Sequence, residues 1–218
     1  MPSNWVKQPQ QLLAKYFNSG SGDAVEGGLI TGIPSNIAAS QGSQTRVGDR
    51  LVLGAADALA MSDTTVGTLY NGLYQYVQTA ASTATPTLGH LAFWDTSVAD
   101  SLYRVTPDES GTLGVENFAG VYINTLTKGY HWWILVAGGV NAVFAAVLTG
   151  APAAVGNAVF AAAVGAGNPG VLDILDGGGN PTFTQVDQML NRYVGVAQGL
   201  PVAGAASKVI VPLSKVRF

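Results

Sequence analysis

His90 and His131 are the only two imidazoles in the chain, and any general acid–base or metal chemistry near neutral pH would have to start from them. Each falls in a segment of strand character with aromatic neighbours, and neither has a second histidine or a carboxylate at ligand spacing. Both therefore read as structural histidines. Nucleophilic and phosphate chemistry fares no better, because GxSxG, HExxH and a GxxxxGK loop ending in Ser or Thr are all missing. No catalytic residue is expected, and an enzyme is not.

Two further patterns offer chemistry on paper. Gly165, Gly167 and Gly170 satisfy GxGxxG, but a dinucleotide fingerprint needs a helix to start there so that its N-terminus faces the pyrophosphate. Only VLDILD follows before Gly177, Gly178 and Gly179, which is too short. Asp173, Asp176, Asn180 and Asp187 could be drawn as a calcium cluster, yet their spacing does not fit an EF-hand loop. With no cysteine there is no thiolate zinc site and no disulfide framework, as expected of a protein made in a reducing cytoplasm. No metal and no cofactor are expected.

The elements that would position any site are strands. Asn71-Gly72, flanked by TLY and LYQYV, predicts a hairpin, with Leu73, Gln75 and Val77 on one face and Tyr74, Tyr76 and Gln78 on the other. RLVL, HLAFWD, LYRVT, YVGVA and SKVIV read as further strands, with Pro212 placing the last at an edge or at a strand end. AADALA reads as a helical turn, and Thr184 to Tyr193 as about two turns of helix capped by Thr184. NAVFAAV at Asn141 and NAVFAAAV at Asn157 form an echo, read as two neighbouring strands of one sheet, with helix as the alternative for these Ala-rich copies. The fold class is mainly β: an antiparallel β-sandwich or β-barrel, jelly-roll-like, with one or two short helices.

Residues 1–46 differ from the remainder, being rich in Gly, Ser and Gln without a sustained period, and read as an extended N-terminal arm or a disordered tail before a single β-rich domain at 47–218. Trp5, Leu12, Leu13, Tyr16 and Phe17 are anchors by which such an arm could dock on a partner.

Composition narrows the partners. Charged residues make up 11% of the chain and hydrophobic residues 48%, so the exposed surface must be largely uncharged, which suggests that neighbouring subunits cover much of it. A net charge of -3 with no Lys/Arg cluster argues against nucleic acid. The N-terminus lacks a secretory h-region. From Trp132 to Leu172 no residue is charged, but glycines, asparagines and Pro152 cut that run into strand-length pieces, so buried strands are expected and no membrane span.

The stretch from Phe118 to Val147 carries the most information. FAGVYINTL, TKG and YHWWILVAGG make a β-hairpin, and adjacent Trp132 and Trp133 must point to opposite faces, so both faces need a cover from this chain or from a neighbour. Together with YQYVQ, LGHLAFWD, YRVTPDES and RYVGVAQGLP, these segments resemble capsid-associated structural proteins of tailed bacteriophages, over most of residues 66–218. The resemblance implies a head decoration or cement protein that binds the outside of the capsid and clamps neighbouring capsomers. It implies the major capsid protein as partner, a homo-oligomer that is most often a trimer, and a place on the virion surface. A tail or fibre component, or a receptor- or carbohydrate-binding β-module, is the alternative. Trp132 and Trp133 join the arm residues as interface candidates.

Overall fold

A computed structural model describes residues 47–61, 70–80, 84–95, 103–107, 118–148, 153–162, 170–174 and 192–213. Its axis is the expected hairpin. Strand β5 (Phe118–Tyr122) pairs antiparallel with β6 (His131–Val143), Val121 opposite Leu135 and Tyr122 opposite Ile134. The Lys128-Gly129 turn is present, with the Tyr130 N–H donating to the Thr127 carbonyl at 3.1 Å and Gly129 at φ 81°. That φ is open to glycine at no steric cost.

At 13 residues, β6 is long enough to serve two sheets in succession. Its first half pairs with β2 (Gly72–Thr79), from Gln78 opposite His131 to Gly72 opposite Gly138. β2 also pairs with β4 (Arg104–Thr106), β4 with β3 (Leu91–Trp94), and β3 with β5, so that β2, β4, β3, β5 and β6 close into a five-stranded barrel. The mainly-β expectation holds, in its barrel form. Strict antiparallel pairing does not: β2 and β4 run parallel, Gln78 beside Arg104 and Thr79 beside Val105. Strands that alternate in direction around a ring of odd number must leave one parallel pair. It falls on a short contact, as parallel pairing is slightly weaker per residue.

The second half of β6 pairs with β10 (Ala206–Val211), followed by β9 (Tyr193–Ala197), β7 (Ala158–Ala161) and β8 (Leu172–Ile174). β8 then returns to the tail of β6. Phe144 forms a parallel bridge with Leu172, and the Ala145 N–H donates to the Leu172 carbonyl at 2.8 Å. A second five-membered ring thus shares β6 with the first, and again has one parallel contact. The Ala-rich copies are strand at Asn141–Val143 and Ala158–Ala161, but these do not pair with one another. They flank β8, one through Phe144 and the other through β7.

Asn71-Gly72 does not form the expected hairpin. Leu73 lies opposite Val52 of β1 (Arg50–Leu53) on one side and opposite Ala137 on the other, so TLY is not its partner. Gly72 is instead a point of close approach, where a Cβ would strike the Ala137 carbonyl oxygen. The AADALA helix is present as α1 (Ala55–Met61), directly after β1. The helix expected at Thr184–Tyr193 lies outside the described residues, apart from Arg192, which is helical, and Tyr193, which opens β9. Pro212 follows directly on β10, an interior strand, so its effect is to end that strand. No described helix is long and apolar enough to cross a membrane.

One hydrophobic cluster runs through both rings, from Tyr74, Tyr76, Leu91, Val121, Trp132 and Leu135 in the first to Val159, Leu172, Val194 and Val209 in the second. Opposed residues of antiparallel strands share a face. Tyr74, Tyr76, Trp133 and Leu135 therefore lie on one face of the β2–β6 pair, and Gln75, Val77, Trp132 and Ile134 on the other. Both faces are buried.

Candidate functional site

Burial assigns the aromatic residues of β6 first. Trp132 is 0% and Trp133 4% exposed, and the Trp133 ring meets Tyr76 edge-on with centroids 5.3 Å apart. The two faces of β6 are covered from within this chain, so both indoles serve its core and neither offers a contact to a neighbour. Trp5, Leu12, Leu13, Tyr16 and Phe17 lie outside the described residues.

The histidines sit in structural settings. His131 is buried and stacks on Tyr76 at 6.2 Å. His90 is half-buried, its carbonyl accepts the Tyr122 N–H at 2.9 Å, and burial lowers its pKa from the ordinary imidazole value. Asp173 is buried on β8, with Oδ1 accepting the Ile174 N–H at 2.8 Å. Asp176, Asn180 and Asp187 lie outside the described residues, and among those described no group of three His, Cys, Asp or Glu could hold a metal. Gly170, last of the GxGxxG glycines, precedes a strand and not a helix. A Cβ there would press on the Phe93 ring, so close packing explains the glycine.

The feature that stands out lies at one end of the second ring. The segments 144–148, 153–157 and 198–205 meet there: the Phe144 N–H donates to Ala205 at 3.0 Å, Gly204 to Ala145 at 2.9 Å, and Gly156 to Ala197 at 2.8 Å. None of the three carries an Asp, Glu, Lys or Arg. From them project Val147, Val155, Leu200 and Val202, at 77%, 63%, 57% and 49% exposure. Scattered exposed aliphatics are ordinary; four on adjoining loops that carry no charge of their own, with exposed Lys208 at their margin where its carbonyl accepts the Gln198 and Gly199 N–H groups, are the kind of surface that partner contacts use. The loops are held by backbone pairing and by the Ser207 hydroxyl, which donates to the Leu200 carbonyl at 2.8 Å. The end is therefore presented in a set shape, which lowers the ordering cost of a contact.

Sequence reasoning passed over this end. Its signal was available: three turn segments, all uncharged, each carrying a Val or Leu where a soluble monomer would place Lys, Glu or Asp.

No protein-family model matches the chain, and no curated protein matches it. Among solved structures the chain is similar to the N base of the head fiber gp8.5 of bacteriophage phi29, at 13% identity and a TM-score of 0.39, over 66% of this chain and 98% of that one.

Proposed function

We propose that this chain is a structural protein of a tailed-bacteriophage virion, a decoration or cement protein that seats on the outer surface of the head and clamps neighbouring capsomers. Its partner is the major capsid protein, and it acts as a homo-oligomer, a trimer in the simplest arrangement, without catalysis. The uncharged end bearing Val147, Val155, Leu200 and Val202 carries this reading, because a monomer in water gains nothing from such a surface and a shell contact does. The segment pattern that resembles capsid-associated proteins supports it from the sequence side.

The test is re-attachment to particles stripped of the protein. Leu200→Glu and Val147→Asp place charges on exposed positions, where substitutions cost the fold within about 0.5 kcal/mol. Attachment should weaken at least roughly tenfold, as a desolvated carboxylate costs more than 1.4 kcal/mol. Undiminished attachment by both variants would overturn the reading. A tail or fibre component is the second reading, since an apolar end would equally dock a fibre's base. Many copies on the head favour the first and a few at the tail the second.

A further inference from the structure

A separate feature lies where β3 meets β4. Tyr103, just before β4, is 38% exposed and has φ 66°, the one non-glycine residue with positive φ among those described. A bulky side chain in the left-handed region costs of order 1–3 kcal/mol, and such residues gather at ligand contacts. What the conformation achieves here is the placement of the ring. It meets the half-buried Trp94 edge-on, centroids 6.0 Å apart, and lies directly over the backbone of Gly48, where a Cβ would come within 2.6 Å of the ring. Gly48 is fixed in turn by its N–H donating to the Tyr76 carbonyl at 2.8 Å, and the Tyr103 carbonyl accepts the Gln78 N–H at 3.1 Å.

The opposite side of the same strand pair is clamped. Trp94 faces Val105, so Asp95 and Arg104 fall on the other face, where the Arg104 Nε donates to the Asp95 Oδ2 at 2.7 Å. An aromatic ledge results, with one face of the tyrosine against backbone, an indole beside it at a steep angle, and its position paid for by a strained φ.

The geometry points to a saccharide-binding subsite: the exposed part of Tyr103, with Trp94 beside it, stacks against the apolar C–H face of a neutral pyranose ring. The electron-rich face of an aromatic attracts the weakly positive C–H bonds of a sugar, and tyrosine and tryptophan add a polar tip that bonds hydroxyls. Rigid seating favours such a ligand, because each stacking contact is small and tolerates little ordering cost. This inference stands apart from the proposed virion role and holds whether or not the apolar end seats on a shell.

The test uses the full chain against an array of neutral and N-acetylated oligosaccharides, with affinities of the hits measured by calorimetry. Tyr103→Gly is the decisive variant, since glycine accepts φ 66° and removes only the ring. It should keep or raise the melting temperature and weaken saccharide binding at least roughly tenfold, the size of a lost stacking anchor. Tyr103→Phe should stay within roughly threefold of the parent, because the ring is kept. The inference is overturned if the parent binds no saccharide on the array, if Tyr103→Gly binds as well as the parent, or if that variant unfolds, which would make the ring a structural prop.

Discussion

Gly138 of β6 lies directly opposite Gly72 of β2, and neither position has room for a side chain. A Cβ on Gly138 would come within 2.7 Å of the Gly72 Cα and 2.5 Å of the Asn71 carbonyl oxygen, and Gly138 also has φ 121°. On its other edge the same residue faces Val211 of β10. It is the point at which β6 leaves one ring and enters the next. Gly138→Ala combines a strained φ with a backbone clash, so a loss of at least about 1–3 kcal/mol is expected, or several degrees in melting temperature. A variant melting within a degree of the parent would show that the two strands can part here without cost.

Two buried tyrosines should respond oppositely to losing a hydroxyl. The Tyr74 hydroxyl donates to the Tyr70 carbonyl at 2.6 Å, whereas the Tyr122 hydroxyl is buried with no hydrogen-bond partner among the described residues. Tyr74→Phe should cost about 1 kcal/mol, and Tyr122→Phe should be neutral or stabilising by up to about 1 kcal/mol. Denaturant unfolding of the two variants decides it. The opposite ranking would mean that the Tyr122 hydroxyl is satisfied in solution.

Alkaline pH should unfold the protein through these same groups. Burial pushes the Tyr74 pKa from 10.0 up to about 12, and burial raises Tyr122 well above its ordinary value. A raised folded-state pKa means that the neutral phenol is favoured in the fold, so this stability is complete below pH 10 and is lost as pH rises through the folded value. For Tyr74 the loss accumulates between about pH 10 and 12 and approaches roughly 2.7 kcal/mol, at 1.36 kcal/mol per unit. Tyrosinate absorbance should rise in two phases, exposed phenols first and buried ones together with unfolding. A single ideal titration near pH 10 would contradict the burial.

The Arg104–Asp95 pair joins a side chain 28% exposed to one 7% exposed. Arg104→Met would leave the carboxylate buried beside an apolar chain, with a cost of about 1–2 kcal/mol, above the exposed-pair norm and below that of a fully buried pair. Asp95→Asn in the same background should recover part of it. Thermal unfolding of the single and double variants gives the coupling, and additive losses would show that the two side chains do not sense one another.

Local signals carried the strands and the long hairpin. β2, β3, β5, β9 and β10 each carry β-branched or aromatic residues bounded by turn formers, and FAGVY with HWWILV paired as their pattern requires. What was not legible depends on distant partners. Asn71-Gly72 looks like a two-residue turn, yet its glycine answers to Ala137, far away in the sequence. The echo at Asn141 and Asn157 shows two similar strands without showing that β8 separates them. The parallel contacts follow from the number of strands in each ring, which no local window contains. The sites suffered more. Adjacent Trp132 and Trp133 read as interface candidates, but β6 is buried on both faces, and the exposed aromatic among the described residues is Tyr103, whose orientation rests on a backbone angle that its neighbours in sequence do not announce.

Because β6 is a stave of two hoops at once, the described strands offer no seam along which half of them could be set aside. A cut between Leu148 and Ala153 would leave the first fragment with a closed barrel but with the β10 side of its long strand bare, and the second with four strands missing their fifth. The two pieces should therefore be complementary, each offering the edge that the other lacks. Mixed in solution they should reassemble as a nicked but native particle.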